Sequence, residues 1–175
     1  HAIARLERAG RGNGVITQNI DGLHQLAGST HVVEVHGTAR EVLCIGRAPR
    51  WGMPDGCGFT APHTWAMERL DAGDGDPCCP DCGGLVKSAT VSFGQVMPPG
   101  AVEEAERLVT SADLLVTVGS SLQVWPAADL PQLAVRAGVP LVIVNDEPTP
   151  LDDIATLVVR GRAGEVLPPA VDSAV

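Results

Sequence analysis

The fold is decided by the stretch ADLLVTVGSSLQVWPAA, residues 112–128. Its first half, Leu114–Val118, is a nearly continuous apolar run, which is typical of a strand in a parallel sheet that helices cover on both faces. Gly-Ser-Ser follows at 119–121, and apolar spacing then predicts a helix over 122–137 that two prolines interrupt. Strand, turn and helix in this order indicate an α/β fold.

The same alternation continues on both sides of this stretch. Further helices are predicted over residues 1–9 and 102–109, and further strands over 14–17, 31–35, 89–93, 141–144 and 157–159. Periodicity is lost between Cys44 and Val86, where Cys, Gly, Pro and Asp dominate. We therefore expect a doubly wound, Rossmann-like domain built from residues 1–43 and 87–175, with a small module inserted at 44–86.

Composition excludes several classes of function. A net charge of −9 with no Lys/Arg cluster argues against nucleic acid as a partner. The sequence has neither the roughly 20 apolar residues that span a bilayer nor the apolar core of a signal peptide. We expect a cytoplasmic protein without a membrane partner. Because the chain begins at His1 within an amphipathic pattern, we also expect that it was cut from a longer protein.

Polar residues follow the predicted strands, where parallel sheets bind their ligands. Gly119-Ser120-Ser121 suits a phosphate at a helix N-terminus, but also a tight turn with a capping serine. A histidine such as His36 accepts a proton readily near neutral pH, although hydrogen-bonded structural histidines are also common. The remaining strand-end groups are Thr17–His24, with the sequence TQNIDGLH, and Asn145-Asp146.

The motif TQNIDGLH, followed by His36-Gly37, resembles the sirtuin family. Five more segments follow in that family's order, so the resemblance covers nearly the whole chain: CPDCGG at 79–84, KSATVSFGQ at 87–95, Met97-Pro98, residues 112–128, and GRAGEVLP at 161–168. It implies an NAD-dependent protein lysine deacetylase or deacylase of the transferase class. Such an enzyme consumes NAD and releases nicotinamide, free lysine and O-acyl-ADP-ribose.

The resemblance also implies roles for individual residues. His36 matches the general base, which activates a ribose hydroxyl. The nicotinamide side of NAD is expected at Gln18, Asn19, Ile20 and Asp21. The adenosine half is expected at Gly119, Ser120, Ser121, Asn145 and Ala163. The acyl-lysine protein or peptide is expected to pair with two segments, Val91-Ser92-Phe93-Gly94 and Gln123-Val124-Trp125.

Sirtuins carry a zinc ribbon with four cysteine ligands, and the matching set here is Cys44, Cys57, Cys79 and Cys82. Cys57 is assigned because Arg47 occupies the usual position of the second ligand. Cys78 is an alternative to Cys79, and all five cysteines could instead be free or paired with one another. Zn²⁺ held by four thiolates has no open coordination position, so its role would be structural.

Two departures from the family affect the expected activity. The Gly-Ala-Gly-x-Ser segment and the Asp-Phe-Arg loop are absent, so we expect the domain to be incomplete at its N-terminus and inactive by itself. Ser88 and Gln95 stand where many members have Pro and Glu, which indicates a divergent bacterial-type branch. The alternatives are a protein mono-ADP-ribosyltransferase and a non-catalytic fragment that binds NAD or peptide.

Overall fold

The structure is a computed structural model that describes residues 1–48 and 55–175. Its helices are α1 Ala2–Arg8, α2 Leu23–Leu26, α3 His63–Asp71, α4 Ala101–Thr110, α5 Leu130–Arg136 and α6 Ala163–Ala174, with 3₁₀ turns at Ala127–Asp129 and Asp152–Ile154. Its strands are β1 Val15–Thr17, β2 Val32–Glu34, β3 Gly37–Gly46, β4 Thr60–Pro62, β5 Leu85–Thr90, β6 Leu115–Val118, β7 Leu141–Asn145 and β8 Leu157–Arg160.

The chain divides into two compact units. The first unit contains residues 1–16, 24–33 and 100–175, and the second contains residues 17–23 and 34–99. The strands β1 and β2, which form a two-stranded sheet, lie where the chain passes between the units. The boundaries of 44–86 expected for the inserted module stay a prediction.

The first unit is built on a parallel sheet with the strand order β6-β7-β8. Leu141 and Ile143, on one face of the central strand, are fully buried in a cluster with Leu122 and Leu151. A second cluster joins Val109 of α4 to the α5 region. Helices connect these strands, and α5 and α6 pack against the central strand β7, so the expected Rossmann-like α/β class is confirmed.

Helix α4 shows how the sequence specifies this packing. Ala105, Leu108 and Val109 recur at helical spacing and are buried, whereas Glu103 and Glu104 lie in the first turn, where the helix dipole favours negative charge. This buried face packs against α5. Burial of three apolar side chains contributes on the order of several kcal/mol.

Two predicted elements are wrong in extent. The helix over 122–137 is a 3₁₀ turn followed by α5, because Leu122 has a left-handed φ of 54° and Pro126 cannot donate a main-chain hydrogen bond. The strand predicted at 89–93 is β5, Leu85–Thr90, which starts earlier because it pairs with β3.

The second unit contains a three-stranded antiparallel sheet in the order β4-β3-β5. Strand β3 runs for ten residues into the region where the sequence showed no periodicity, and α3 follows β4 directly. Within the described ranges, no helix is long and apolar enough to cross a bilayer.

Candidate functional site

The second unit holds the loop after β1, where the sequence placed Gln18, Asn19, Ile20 and Asp21. The buried hydroxyl of Thr17 accepts a hydrogen bond from the N–H of Asn19 at 3.1 Å. At the other end of the loop, the Asp21 carboxylate accepts one from the N–H of Leu23 at 3.0 Å. Both ends of the loop are therefore fixed by hydrogen bonds between a side chain and the main chain, while Asn19, Ile20 and Asp21 face solvent.

His36 lies directly against this loop. Its Nδ1 is 3.2 Å from the main-chain carbonyl of Gln18. A carbonyl oxygen only accepts, so Nδ1 is the donor in this bond, and the tautomer with its proton on Nδ1 has its lone pair on Nε2. The structure thus brings the predicted base and the predicted nicotinamide loop together within one unit, with Nε2 as the atom that can take a proton.

Gly37 explains why His36 is held so closely to β5. Its φ is +71°, and a Cβ placed on it would lie 2.0 Å from the carbonyl oxygen of Ala89. Only glycine combines a left-handed φ with such a close approach of a neighbouring strand. In addition, the carbonyl of His36 accepts a hydrogen bond from Val91 at 2.9 Å. The main chain of His36 is therefore bonded directly to the segment that follows β5.

That segment is the first of the two predicted to bind peptide. Ser92, Phe93 and Gly94 are exposed, and the Phe93 side chain is 86% exposed. The second segment belongs to the first unit, where Gln123, Val124 and Trp125 are also exposed, Trp125 to 65%.

The first unit holds the residues predicted to bind adenosine. In its parallel sheet, Val118 of β6 pairs with Val144 of β7, and Asn145 pairs with Arg160 of β8. Gly119, Asn145 and Gly161 therefore end neighbouring strands at one edge of the sheet, and Ala163 begins α6 just beyond β8. The structure brings these expected positions together at the edge where parallel sheets bind ligands.

The turn after β6 differs from the expected helix N-terminus. Gly119 has a φ of +61° with open space beside it, and the hydroxyl of Ser120 accepts a hydrogen bond from Leu122 at 3.3 Å. The first 3₁₀ turn begins only at Ala127. No helix therefore begins directly after this turn, and phosphate binding there stays a prediction. Leu122, a buried residue with positive φ, marks local strain of the kind that collects at functional sites.

The second unit also contains a cluster of four cysteines. The Sγ atoms of Cys44, Cys57, Cys79 and Cys82 all lie within 4.8 Å of one another, and two pairs, Cys44–Cys82 and Cys57–Cys79, are 3.5 Å apart. Four sulfurs at 2.3 Å from one zinc ion would be separated by about 3.8 Å. The cluster therefore fits a structural zinc.

The surroundings of these thiols support the same conclusion. Hydrogen bonds from the N–H groups of Cys57 and Gly46 lower the pKa of Cys44 to about 7. The N–H of Gly84 lowers the pKa of Cys82, but the neighbouring thiol of Cys44 and burial outweigh it and raise that pKa to about 12. Crowded thiolates repel one another, and a divalent cation among them removes that cost.

The fifth cysteine lies outside the cluster. The Cys78 thiol is exposed and donates to the carbonyl of Asp76 at 3.5 Å, whereas Cys79 is 2% exposed. The sequence left Cys78 open as an alternative to Cys79, and the structure brings Cys79 to the other three.

Comparison with known proteins places the chain among its relatives. A family model described as "Sir2 family" matches residues 1–126. The chain belongs to the Sir2 family. The order of its sequence motifs and its α/β fold with a cysteine cluster agree with this membership.

Two relatives from the Sir2 family are similar in sequence over most of this chain. The protein is 48% identical over 172 residues to NAD-dependent protein deacetylase 1 of Bradyrhizobium diazoefficiens, covering 97% of this chain and 63% of that one. It is 46% identical over 169 residues to NAD-dependent protein deacetylase 2 of Streptomyces coelicolor, covering 95% and 66%. The chain thus spans slightly less than two thirds of either relative.

A solved structure of Sir2 bound to an acetylated peptide is similar in three dimensions. Its TM-score is 0.87 at 39% identity, and the match covers 99% of this chain and 68% of that one. At this identity the likeness supports the Sir2 fold throughout the described residues.

Sequence reasoning missed two groups of residues near the expected Sir2 site. Arg40 pairs with Glu34 at 3.1 Å and covers Gly22, where a Cβ would lie 2.5 Å from its Nε. Lys87 donates hydrogen bonds beside the Val91–Gly94 segment. Arg40 had no signal in the sequence, whereas Lys87 could have been noticed as the only lysine in the chain.

Proposed function

We propose that the chain carries the chemistry of an NAD-dependent protein lysine deacylase. The observation that supports it most is the position of His36, whose Nδ1 is bonded to the loop carbonyl of Gln18 and whose Nε2 is left to act as a base. In this proposal Nε2 takes a proton from a ribose hydroxyl of NAD. The fixed Nδ1 bond keeps the ring in the tautomer that this step needs.

The loop beside His36 is the proposed binding site for the nicotinamide side of NAD. Asn19 and Asp21 offer an amide and a carboxylate toward solvent, and Ile20 adds an apolar side chain that is 37% exposed. These groups suit a planar ring that bears a carboxamide. When bound, NAD supplies a ribose carbon that becomes electrophilic as nicotinamide leaves. The carboxylate of Asp21 favours positive charge there.

The adenosine half is proposed to bind at the sheet edge of the first unit. Gly119, Ser121 and Asn145 combine open space with polar groups, and the Asn145 amide already donates to the carbonyl of Glu147 at 2.8 Å. This bond fixes the amide and leaves its oxygen for an incoming donor. Ser120 and Ala163 complete the proposed set.

The acyl-lysine substrate is proposed to pair with the two exposed segments. Residues 91–94 and 123–125 both present main chain and large apolar side chains, as in recognition by added strands. A net charge of −9 favours peptides with basic residues around the acylated lysine. Cys44, Cys57, Cys79 and Cys82 are the proposed ligands of a structural zinc. The cytoplasm is the proposed location, because none of the five cysteines, all of which lie within the described residues, forms a disulfide.

The test is to incubate the chain with NAD and an acetyl-lysine peptide and to measure nicotinamide and O-acetyl-ADP-ribose by mass spectrometry. A version extended at its N-terminus to the length of the Sir2 relatives is tested in parallel. Product from either version that is lost in His36→Ala supports the proposal. Replacing a general base lowers rates by about 10²–10⁴-fold.

Two other outcomes would count against deacylation. ADP-ribosylated protein without O-acetyl-ADP-ribose would indicate transfer to a protein nucleophile at the same NAD site. Binding of NAD or peptide without any product, with a folded chain and its zinc in place, would indicate a binding role. Nicotinamide release without peptide distinguishes simple NAD hydrolysis from both.

A further inference from the structure

Lys87 is the only lysine among the 175 residues, and it lies on β5 opposite Leu43 of β3. Its ammonium group is half-buried and donates to the carbonyl of Thr90 at 2.5 Å and to Oε1 of Gln95 at 3.4 Å. Burial lowers the pKa of Lys87. A half-buried ammonium group bonded to two neutral oxygens has lost part of its hydration, so its position needs a structural reason.

Gln95 links this lysine to the exposed segment that follows β5. The same Oε1 atom accepts the N–H of Ser92 at 2.8 Å, and the N–H of Gln95 donates to the carbonyl of Ser92 at 2.9 Å. Both main-chain polar groups of Ser92 are therefore occupied by one residue. The segment turns back at Gly94, where φ is +81°.

The other end of the segment is fixed by His36. Val91 donates to the His36 carbonyl, and the carbonyl of Thr90, the residue before it, accepts from Lys87. The main chain from Thr90 to Ser92 is thus held at successive residues. The Phe93 side chain is left 86% exposed at the end of this hydrogen-bonded stretch.

We propose that Lys87 and Gln95 form a clip that holds residues 91–94 in the shape that binds the acyl-lysine peptide and keeps them in register with His36. The proposal rests on the peptide-binding role assigned to this segment above. Both residues act through the segment and touch no reacting atom, so they are positioning residues. Their contribution is to order the segment before the peptide arrives, which lowers the entropy cost of binding.

Gln95→Glu is the conservative variant, because many members of the family have Glu at this position. Gln95→Glu keeps an oxygen that can accept from Ser92 and Lys87 and adds a charge opposite the ammonium. Gln95→Ala removes the acceptor, and Lys87→Met keeps most of the buried side chain while removing the donor. Gln132→Ala, on α5 in the first unit, is the matched control, since among the described residues its amide bonds only to the helix carbonyl of Ala128.

Three measurements on the 175-residue chain test the clip. Isotope-labelled lysine gives a single side-chain NMR signal, because the chain has one lysine. Hydrogen exchange reports the protection of the Ser92 amide. Fluorescence anisotropy gives the affinity for a labelled acetyl-lysine peptide. Gln95→Ala and Lys87→Met are expected to speed Ser92 exchange and to weaken peptide binding, each by about tenfold, the effect of losing one or two hydrogen bonds.

The outcomes separate this proposal from the proposed function. Recovery of protection and affinity in Gln95→Glu, with no change in Gln132→Ala, supports a positioning role. Unchanged Ser92 exchange in Gln95→Ala overturns the clip, and lost protection with unchanged peptide affinity overturns its role in binding. Absence of peptide binding by the unchanged chain counts against the proposed function, whereas the exchange data still decide whether the clip exists.

Discussion

Replacing Gly37 with alanine places a methyl group where the main chain of β5 already lies. The new Cβ would be 2.0 Å from the carbonyl oxygen of Ala89, and the residue would have to keep a φ of +71°. The left-handed conformation costs a non-glycine residue roughly 1–2 kcal/mol. Overpacking adds about 1–3 kcal/mol, because β5 must retreat by about 1 Å. We expect a loss of about 2–5 kcal/mol in the free energy of unfolding.

Gly73→Ala is the control that separates these two costs. Gly73 lies in the same unit with a φ of +93°, and nothing lies within 4 Å of its Cβ position. This variant should lose only the conformational part, about 1–2 kcal/mol. Gly37→Ala should also displace His36, the preceding residue, whose main-chain carbonyl accepts a hydrogen bond from the N–H of Val91.

Urea denaturation followed by circular dichroism measures both variants. Zinc must be kept at one concentration throughout, since a bound metal shifts the apparent stability. Equal destabilisation by the two substitutions would refute the reasoning, because it would mean that β3 and β5 absorb the methyl group without cost. An unchanged rate of exchange at Val91 in Gly37→Ala would contradict the predicted displacement.

Three further predictions concern other parts of the molecule. Cys79→Ser should lower the zinc content and unfold the second unit, whereas Cys78→Ser should keep one zinc per chain; elemental analysis distinguishes them, and equal zinc loss in both would contradict the ligand set. Arg40→Ala should speed hydrogen exchange over residues 18–22, and unchanged exchange would show that Arg40 does not hold that loop. Hydrogen bonds, first from the side chain of Thr30, lower the pKa of Glu7. The Glu7 carboxylate should therefore stabilise the fold fully above the ordinary glutamate pKa, and this stabilisation should be lost as the pH falls through the lower folded pKa. The melting curves of the unchanged chain and of Glu7→Gln should converge only in acid.

The sequence predicted the sheet of the first unit well, because that sheet depends on local pattern. The runs at Leu114–Val118, 141–144 and 157–159 are apolar on both faces, and few structures other than a covered parallel strand accommodate such runs. The ends of these strands then brought Gly119 and Asn145 to one edge. The parallel arrangement of the strands was therefore enough to predict that these two residues lie at one edge of the sheet.

The second unit was harder to predict, because its structure depends on partners distant in sequence. Strand β3 carries Thr38, Arg40 and Glu41 on a sheet that is open to solvent, so its composition resembles a loop. It becomes a strand by pairing with β5, more than forty residues later along much of its length. The clip at Lys87 and Gln95 was invisible for the same reason, since its contacts depend on how the chain turns after Thr90.

The single lysine has a consequence for the protein's own chemistry. All the other side-chain cations, eleven of the twelve, are arginines, whose guanidinium groups resist acylation at neutral pH. Lys87 is the one side-chain amine that an acyl donor could modify, and its Nζ is engaged by Thr90 and Gln95. An acyl group there would remove the positive charge and displace those bonds. A chain that is proposed to remove acyl groups from lysine thus has only one lysine of its own that could be acylated.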